Sequence, residues 1–118
     1  IPDMGSFTTW RGFVRDDILR ELTYTNRIFT GEEGKELGFV THLSDDPHAK
    51  AMEIATEIAS KHPQAVQLAK DLINKLPDMN EDEILMMESV GQDKVSRTPN
   101  QVEAVMAFMQ KRTANFTD

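Results

Sequence analysis

Ala107-Phe108-Met109-Gln110-Lys111-Arg112-Thr113-Ala114-Asn115-Phe116, near the end of a 118-residue chain, is the stretch on which the reading of the fold turns. It closes a helix that the pattern starts after Pro99-Asn100, with Val102, Val105, Met106 and Met109 expected to be buried on one face. Ala104, Phe108 and Lys111 fall at i, i+4 and i+7 on a different face. An aromatic ring with a cation one turn away could stack on a purine and hold a phosphate. A packed Phe beside a surface Lys is the ordinary explanation of the same spacing.

Working back from that helix, the pattern predicts three more amphipathic helices after Pro47. In the first, Met52, Ala55, Ile58 and Ala59 share a face, and Lys61-His62-Pro63 ends it because proline disfavours helical geometry in the residue before it. The second carries Pro63 at an early helical position, buries Val66, Ala69, Ile73 and Leu76, and stops at Leu76-Pro77-Asp78. Asn80 caps the third, with Glu83 three residues on, and Ile84, Met87, Gly91 and Val95 make a weaker stripe.

The front of the chain reads differently. Residues 4–24 hold two short helical stretches broken near Gly12, the second with an apolar stripe of Ile18, Leu19 and Leu22. From Thr30 to Gly38 the residues spell a short capped helix, with Thr30 as N-cap, Glu33 at the capping-box position and Gly38 as terminator. Phe39-Val40-Thr41-His42-Leu43 is the best strand candidate, bounded by Gly38 and the Ser44-Asp45-Asp46-Pro47 turn, although an extended loop is the alternative. One strand makes no sheet, so its partners are expected in other sequence or another subunit. Together with a start at Ile1-Pro2 that lacks an initiator Met, this points to a piece cut from a larger protein.

Composition narrows the function classes. With 13 basic and 20 acidic residues the net charge is −7, which disfavours nucleic acid or an anionic bilayer as partner. No run approaches the ~20 apolar residues of a membrane span, and no secretory signal opens the chain. The absence of cysteine rules out disulfides and thiolate metal sites and fits a reducing, cytoplasmic setting. His42, His48 and His62 lie on different predicted elements, without HExxH-type spacing, and are expected at surfaces or caps rather than on a metal. No serine sits in a nucleophile elbow, and the acidic pair between Gly31 and Gly34 would repel phosphate. Asp3, ahead of the first helix, reads by itself as an N-cap.

Several stretches in order resemble one family. Ile1-Pro2-Asp3-Met4-Gly5-Ser6 is similar to the Pro-x-x-Gly loop and helix start of the enoyl-CoA hydratase/isomerase (crotonase) superfamily. Glu21-Leu22-Thr23-Tyr24-Thr25, through Glu32-Glu33, to Gly38-Phe39-Val40 resembles its Leu-Thr-Gly…Ala-Glu-Glu-Ala…Gly-Leu-Val segment. Residues 65–70 are similar to its Ala-rich helix ending in Lys, and residues 107–116 to its Ala-Phe-x-Glu-Lys-Arg-x-x-x-Phe ending. The chain departs from the pattern at Ser6-Phe7-Thr8-Thr9-Trp10, where Gly-Gly-Thr-Gln-Arg is usual, at Gly31 and Gly34, where Ala is common, and at Gln110.

The resemblance implies a mainly α chain with a short β segment, the carboxyl-terminal part of a crotonase-like (ClpP/crotonase) α/β spiral fold. Residues 1–46 would end the crotonase core, and residues 47–118 would form the carboxyl-terminal helical region that builds trimers or dimers of trimers. The implied substrate is an acyl-CoA thioester, with double-bond isomerisation or hydration of enoyl-CoA through an enolate. Coenzyme A is then part of the substrate, and no other cofactor is expected. Two backbone N–H groups of the family's amino-terminal half form the oxyanion hole, so these 118 residues alone are expected to be inactive. Asp3 resembles the catalytic aspartate of isomerase-type members, and Phe108 and Lys111 match the pair that reaches the adenine-phosphate end of CoA in a neighbouring subunit. A non-catalytic oligomerisation or CoA-contact module is the alternative.

Overall fold

The computed structural model describes residues 2–117. Among these residues seven α-helices follow one another: α1 Ser6–Trp10, α2 Asp16–Thr25, α3 Gly31–Glu36, α4 Pro47–Ala59, α5 Pro63–Lys75, α6 Glu81–Val95 and α7 Pro99–Gln110. Packing divides the chain into two units, with the boundary inside α4 between Lys50 and Ala51.

In the first unit the helices stop where local chemistry requires it. Gly12 takes a positive φ of 91° in the turn that separates α1 from α2. Thr30 caps α3 by accepting a hydrogen bond from the Glu33 amide at 3.2 Å, as its place in the sequence predicts. The other half of the expected capping box is absent, because the Glu33 carboxylate turns to Arg27 Nη2 at 2.6 Å instead. Gly38 ends the helix with φ 90°, and the Phe39 amide reaches back to the Gly34 carbonyl in a Schellman-type closure.

The strand expected at residues 39–43 is not formed, and there is no strand among the described residues. A strand exists through ladder hydrogen bonds to a neighbour, and no such ladder forms among those residues. Phe39 serves instead as the hub of an aromatic cluster. Trp10 meets it edge-on at a ring distance of 5.5 Å, and Phe29 lies tilted against it at 5.1 Å. Val14 is the buried apolar residue of this unit.

In the second unit the caps follow the sequence closely. Pro63 opens α5, and Leu76–Asp78 ends it as a single 3₁₀ turn. Asn80 and Glu83 complete a reciprocal capping box on α6, at 3.0 and 2.9 Å. Helices α5 and α6 pack on each other beside an open trough of about 940 Å³, whose lining includes Leu68, Leu72 and Met87.

The predicted burial of the α7 stripe is overturned. Val102, Val105, Met106 and Met109 are all exposed, Met109 at 73%, and the residues of α7 that are buried are Asn100 and Ala107. Ile73, Met52 and Ile58 are likewise exposed. Periodicity identifies an apolar face but not the layer that covers it.

Candidate functional site

Asp3 occupies the first position of a tight turn. Met4 and Gly5 both adopt positive φ, 57° and 83°, and the Ser6 amide donates to the Asp3 carbonyl at 3.2 Å, the arrangement of a type I′ turn. The Ser6 hydroxyl donates to the same carbonyl. The N-cap of α1 is Gly5, without a side-chain cap, so the capping role that position alone suggested for Asp3 falls to its neighbour. The Asp3 side chain is left exposed.

Asp3 itself is not among the residues that line the hollow next to this turn. Pro2 and Ser6 line a cavity of about 580 Å³ together with Trp10, Leu22, Phe29 and Phe39. The apolar part of the lining suits a hydrocarbon chain, because burying such surface contributes ~25 cal/mol per Å², while Ser6, Thr23, Asn26 and Arg27 make the rest of it polar. Arg27 is the cation of the lining, and its hydrogen bonds to Glu33 and Glu21 raise its pKa still further above the physiological range. Two of the residues where this chain departs from the family pattern, Ser6 and Trp10, therefore belong to the lining.

Phe108 and Lys111 belong to the second unit. Phe108 is 85% exposed on the last turn of α7. Lys111 is not the i+7 member of a helical face. The helix ends at Gln110, and Lys111 turns left-handed at φ 53°, ψ 41°. Its amide donates to the Phe108 carbonyl at 3.2 Å, and the Arg112 amide to the Ala107 carbonyl at 3.0 Å, which closes the helix in a Schellman pattern. The aromatic ring and the cation thus sit on either side of a helix stop, joined by one backbone bond.

Beyond that stop the tail folds back on its own unit. The Arg112 guanidinium forks onto Glu103, with Nη1 donating to Oε1 and Nη2 to Oε2 at 2.8 Å, and the Asn115 amide donates to Glu103 Oε1 at 2.7 Å. The Arg112 side chain, and after it the Asn115 amide, hold the Glu103 carboxyl down at about 2, against an ordinary 4.5. Phe116 stacks on His62, whose Nδ1 accepts the Ala65 amide at 3.4 Å to cap α5, the capping role expected of a histidine here. Glu103, Arg112 and Asn100 carry this tail, and reading the sequence missed them. Glu103 and Arg112 are nine residues apart across a helix end, a spacing outside any periodic signal.

No group of three His, Cys, Asp or Glu residues that could hold a metal ion exists among the described residues, and no described helix is long and apolar enough to cross a membrane.

The family model described as enoyl-CoA hydratase/isomerase matches residues 1–118. An enoyl-CoA hydratase, EchA19, of Mycobacterium tuberculosis is 34% identical over 98 residues, which cover 81% of this chain and 37% of that protein. Human mitochondrial methylglutaconyl-CoA hydratase is 26% identical over 105 residues, covering 84% of this chain and 31% of the relative. Among solved structures, an enoyl-CoA hydratase from Bacillus anthracis superposes with a TM-score of 0.85 at 34% identity, covering 98% of this chain and 46% of its own. The chain therefore spans less than half the length of the relatives it matches.

Proposed function

The chain belongs to the enoyl-CoA hydratase/isomerase (crotonase) family, and from that premise we propose that its protein moves the double bond of an enoyl-CoA through an enolate. The single observation that carries the choice of isomerisation is the place of Asp3, an exposed carboxylate on a tight turn, with Pro2 before it and Ser6 after it lining the nearby cavity. The carboxylate takes a proton from one carbon of the acyl chain, and the negative charge spreads to the thioester oxygen. The carboxylic acid so formed returns the proton to the far end of the allylic system, and no atom is gained or lost. The oxyanion is held by two backbone N–H donors that the resemblance assigns to the family's amino-terminal half. Hydration is the other reaction of the family and requires an activated water as well as the enolate site.

In the same proposal the cavity beside Asp3 takes the acyl group, and Phe108 and Lys111 meet the adenine and phosphate end of CoA on a neighbouring subunit of a trimer or dimer of trimers. Coenzyme A is part of the substrate, no separate cofactor is required, and the setting is the cytoplasm. Replacing Asp3→Asn in the protein tests the reading. Double-bond migration on β,γ-enoyl-CoA esters should fall by a factor of about 10² or more, the scale of a lost general base, while CoA ester binding persists. Turnover at the original rate would return Asp3 to a purely structural place in its turn.

A further inference from the structure

Lys111 is an unusual residue for its place. A helix end in left-handed conformation favours glycine, because an L side chain there crowds the backbone. Lysine nevertheless occupies it at φ 53°. Among the described residues its ammonium pairs with no carboxylate. The residue that follows adds side-chain bonds to the backbone hydrogen bonds that close this turn. The Arg112 side chain donates from Nε to Gln110 Oε1 at 2.7 Å, tying together the two residues that bracket Lys111. It also donates from Nη1 to the Thr113 carbonyl at 3.0 Å and grips Glu103 with both oxygens. Glu103 in turn accepts the Asn115 amide, so one carboxylate on α7 anchors the turn on the far side of Lys111.

We infer that Glu103 and Arg112 form a positioning clamp that fixes the left-handed turn at Lys111 and so aims its ammonium at a ligand phosphate. The inference rests on the CoA contact proposed above. It adds that the phosphate preference is set by two residues that do not touch the ligand. A planar guanidinium fork suits this role, since a bidentate grip on a carboxylate restricts rotation where a point charge would not. Strain that persists at one residue because its surroundings hold it in place is the pattern of a site built to present a side chain.

The test measures binding rather than turnover. The protein is titrated calorimetrically with coenzyme A and with its 3′-dephospho form, and the ratio of the two dissociation constants isolates the phosphate contribution, about tenfold for one charge-assisted contact. Lys111→Ala should bring that ratio close to one. Glu103→Gln and Arg112→Lys should each remove at least half of the preference on a logarithmic scale, and general loosening of the protein would weaken both ligands alike and leave the ratio intact. If Lys111→Ala collapses the preference and both clamp variants retain it, the clamp inference is overturned and the CoA contact stands. If Lys111→Ala leaves the preference unchanged, the CoA contact itself fails and the clamp fails with it. Should Glu103→Gln not fold, Arg112→Lys alone decides, because it keeps the charge and removes only the fork.

Discussion

Asn100 and Thr117 hold each other in both directions: the Asn100 amide Nδ2 donates to the Thr117 carbonyl at 2.6 Å, and its Oδ1 accepts the Thr117 amide at 2.9 Å. A side chain at the first turn of α7 thereby satisfies the backbone of a residue 17 positions later, and a further bond of 2.8 Å to Gln64 Oε1 ties in α5. Asn100 is 5% exposed, so its polar atoms have given up water and depend on these partners.

Replacing Asn100→Ala should therefore destabilise the second unit by about 1–3 kcal/mol, the cost of leaving buried partners unsatisfied. Asn100→Asp should cost more, because a carboxylate oxygen would face the Thr117 carbonyl and the Gln64 Oε1, both acceptors. Urea denaturation of the two variants measures the order. Equal stability of Asn100→Asp and the parent would contradict it.

The Glu103 carboxyl should titrate with a midpoint near 2, read from its side-chain carbon shift in NMR, rather than near 4.5. The sign of the linkage follows from a folded pKa below the unfolded one. The stabilising contribution of the clamp is whole above pH 4.5, declines as the unfolded chain takes up its proton first, and is gone once pH falls through about 2. Protection of the Asn115 amide should decay over that same window. Loss of protection already at pH 6 would show that another group controls the tail.

Two glycines at the ends of α3 should respond with opposite sign. A Cβ at Gly31 meets Leu43 Cδ2 at 3.5 Å, an ordinary contact, so Gly31→Ala should stabilise by about 0.4–1 kcal/mol through the unfolded chain. Gly38 sits at φ 90°, and Gly38→Ala should cost roughly 1–2 kcal/mol. Thermal unfolding distinguishes them, and a shift of the same direction in both would refute the argument.

Lys111→Gly should trade binding for stability. Glycine relieves the left-handed strain, a gain of about 1 kcal/mol. The same change removes the cation, so affinity for coenzyme A should fall even as the urea midpoint rises. A variant that loses stability would mean that the lysine stem packs on something the turn needs.

Helix boundaries were legible in the sequence because their causes are local. Thr30, Pro63, Asn80 with Glu83, and Gly38 each act within four residues, and each stands where its side-chain or backbone chemistry demands. The strand at 39–43 is not seen, and the extended-loop alternative describes the segment as it stands, because flanking turn residues bound a segment without supplying the neighbouring strand it needs, and Phe39 packs on two aromatic rings. The α7 stripe failed for a related reason: the apolar positions were read correctly, but their cover is not a property of the helix.

The candidate site divides along the same line. Asp3, Phe108 and Lys111 stood out in the sequence through their resemblance to a family pattern, which a linear motif can carry. Only the folded chain placed Pro2 and Ser6 on the wall of an aromatic cavity, broke the supposed helical face between Phe108 and Lys111, and joined Glu103 to Arg112 and Asn100 to Thr117. The caps at Thr30, Pro63 and Asn80 are set by neighbours a few bonds away, so sequence by itself determined them. Clamps that span nine and 17 residues depend on where the chain returns after a helix stop, and that return is decided by tertiary packing alone.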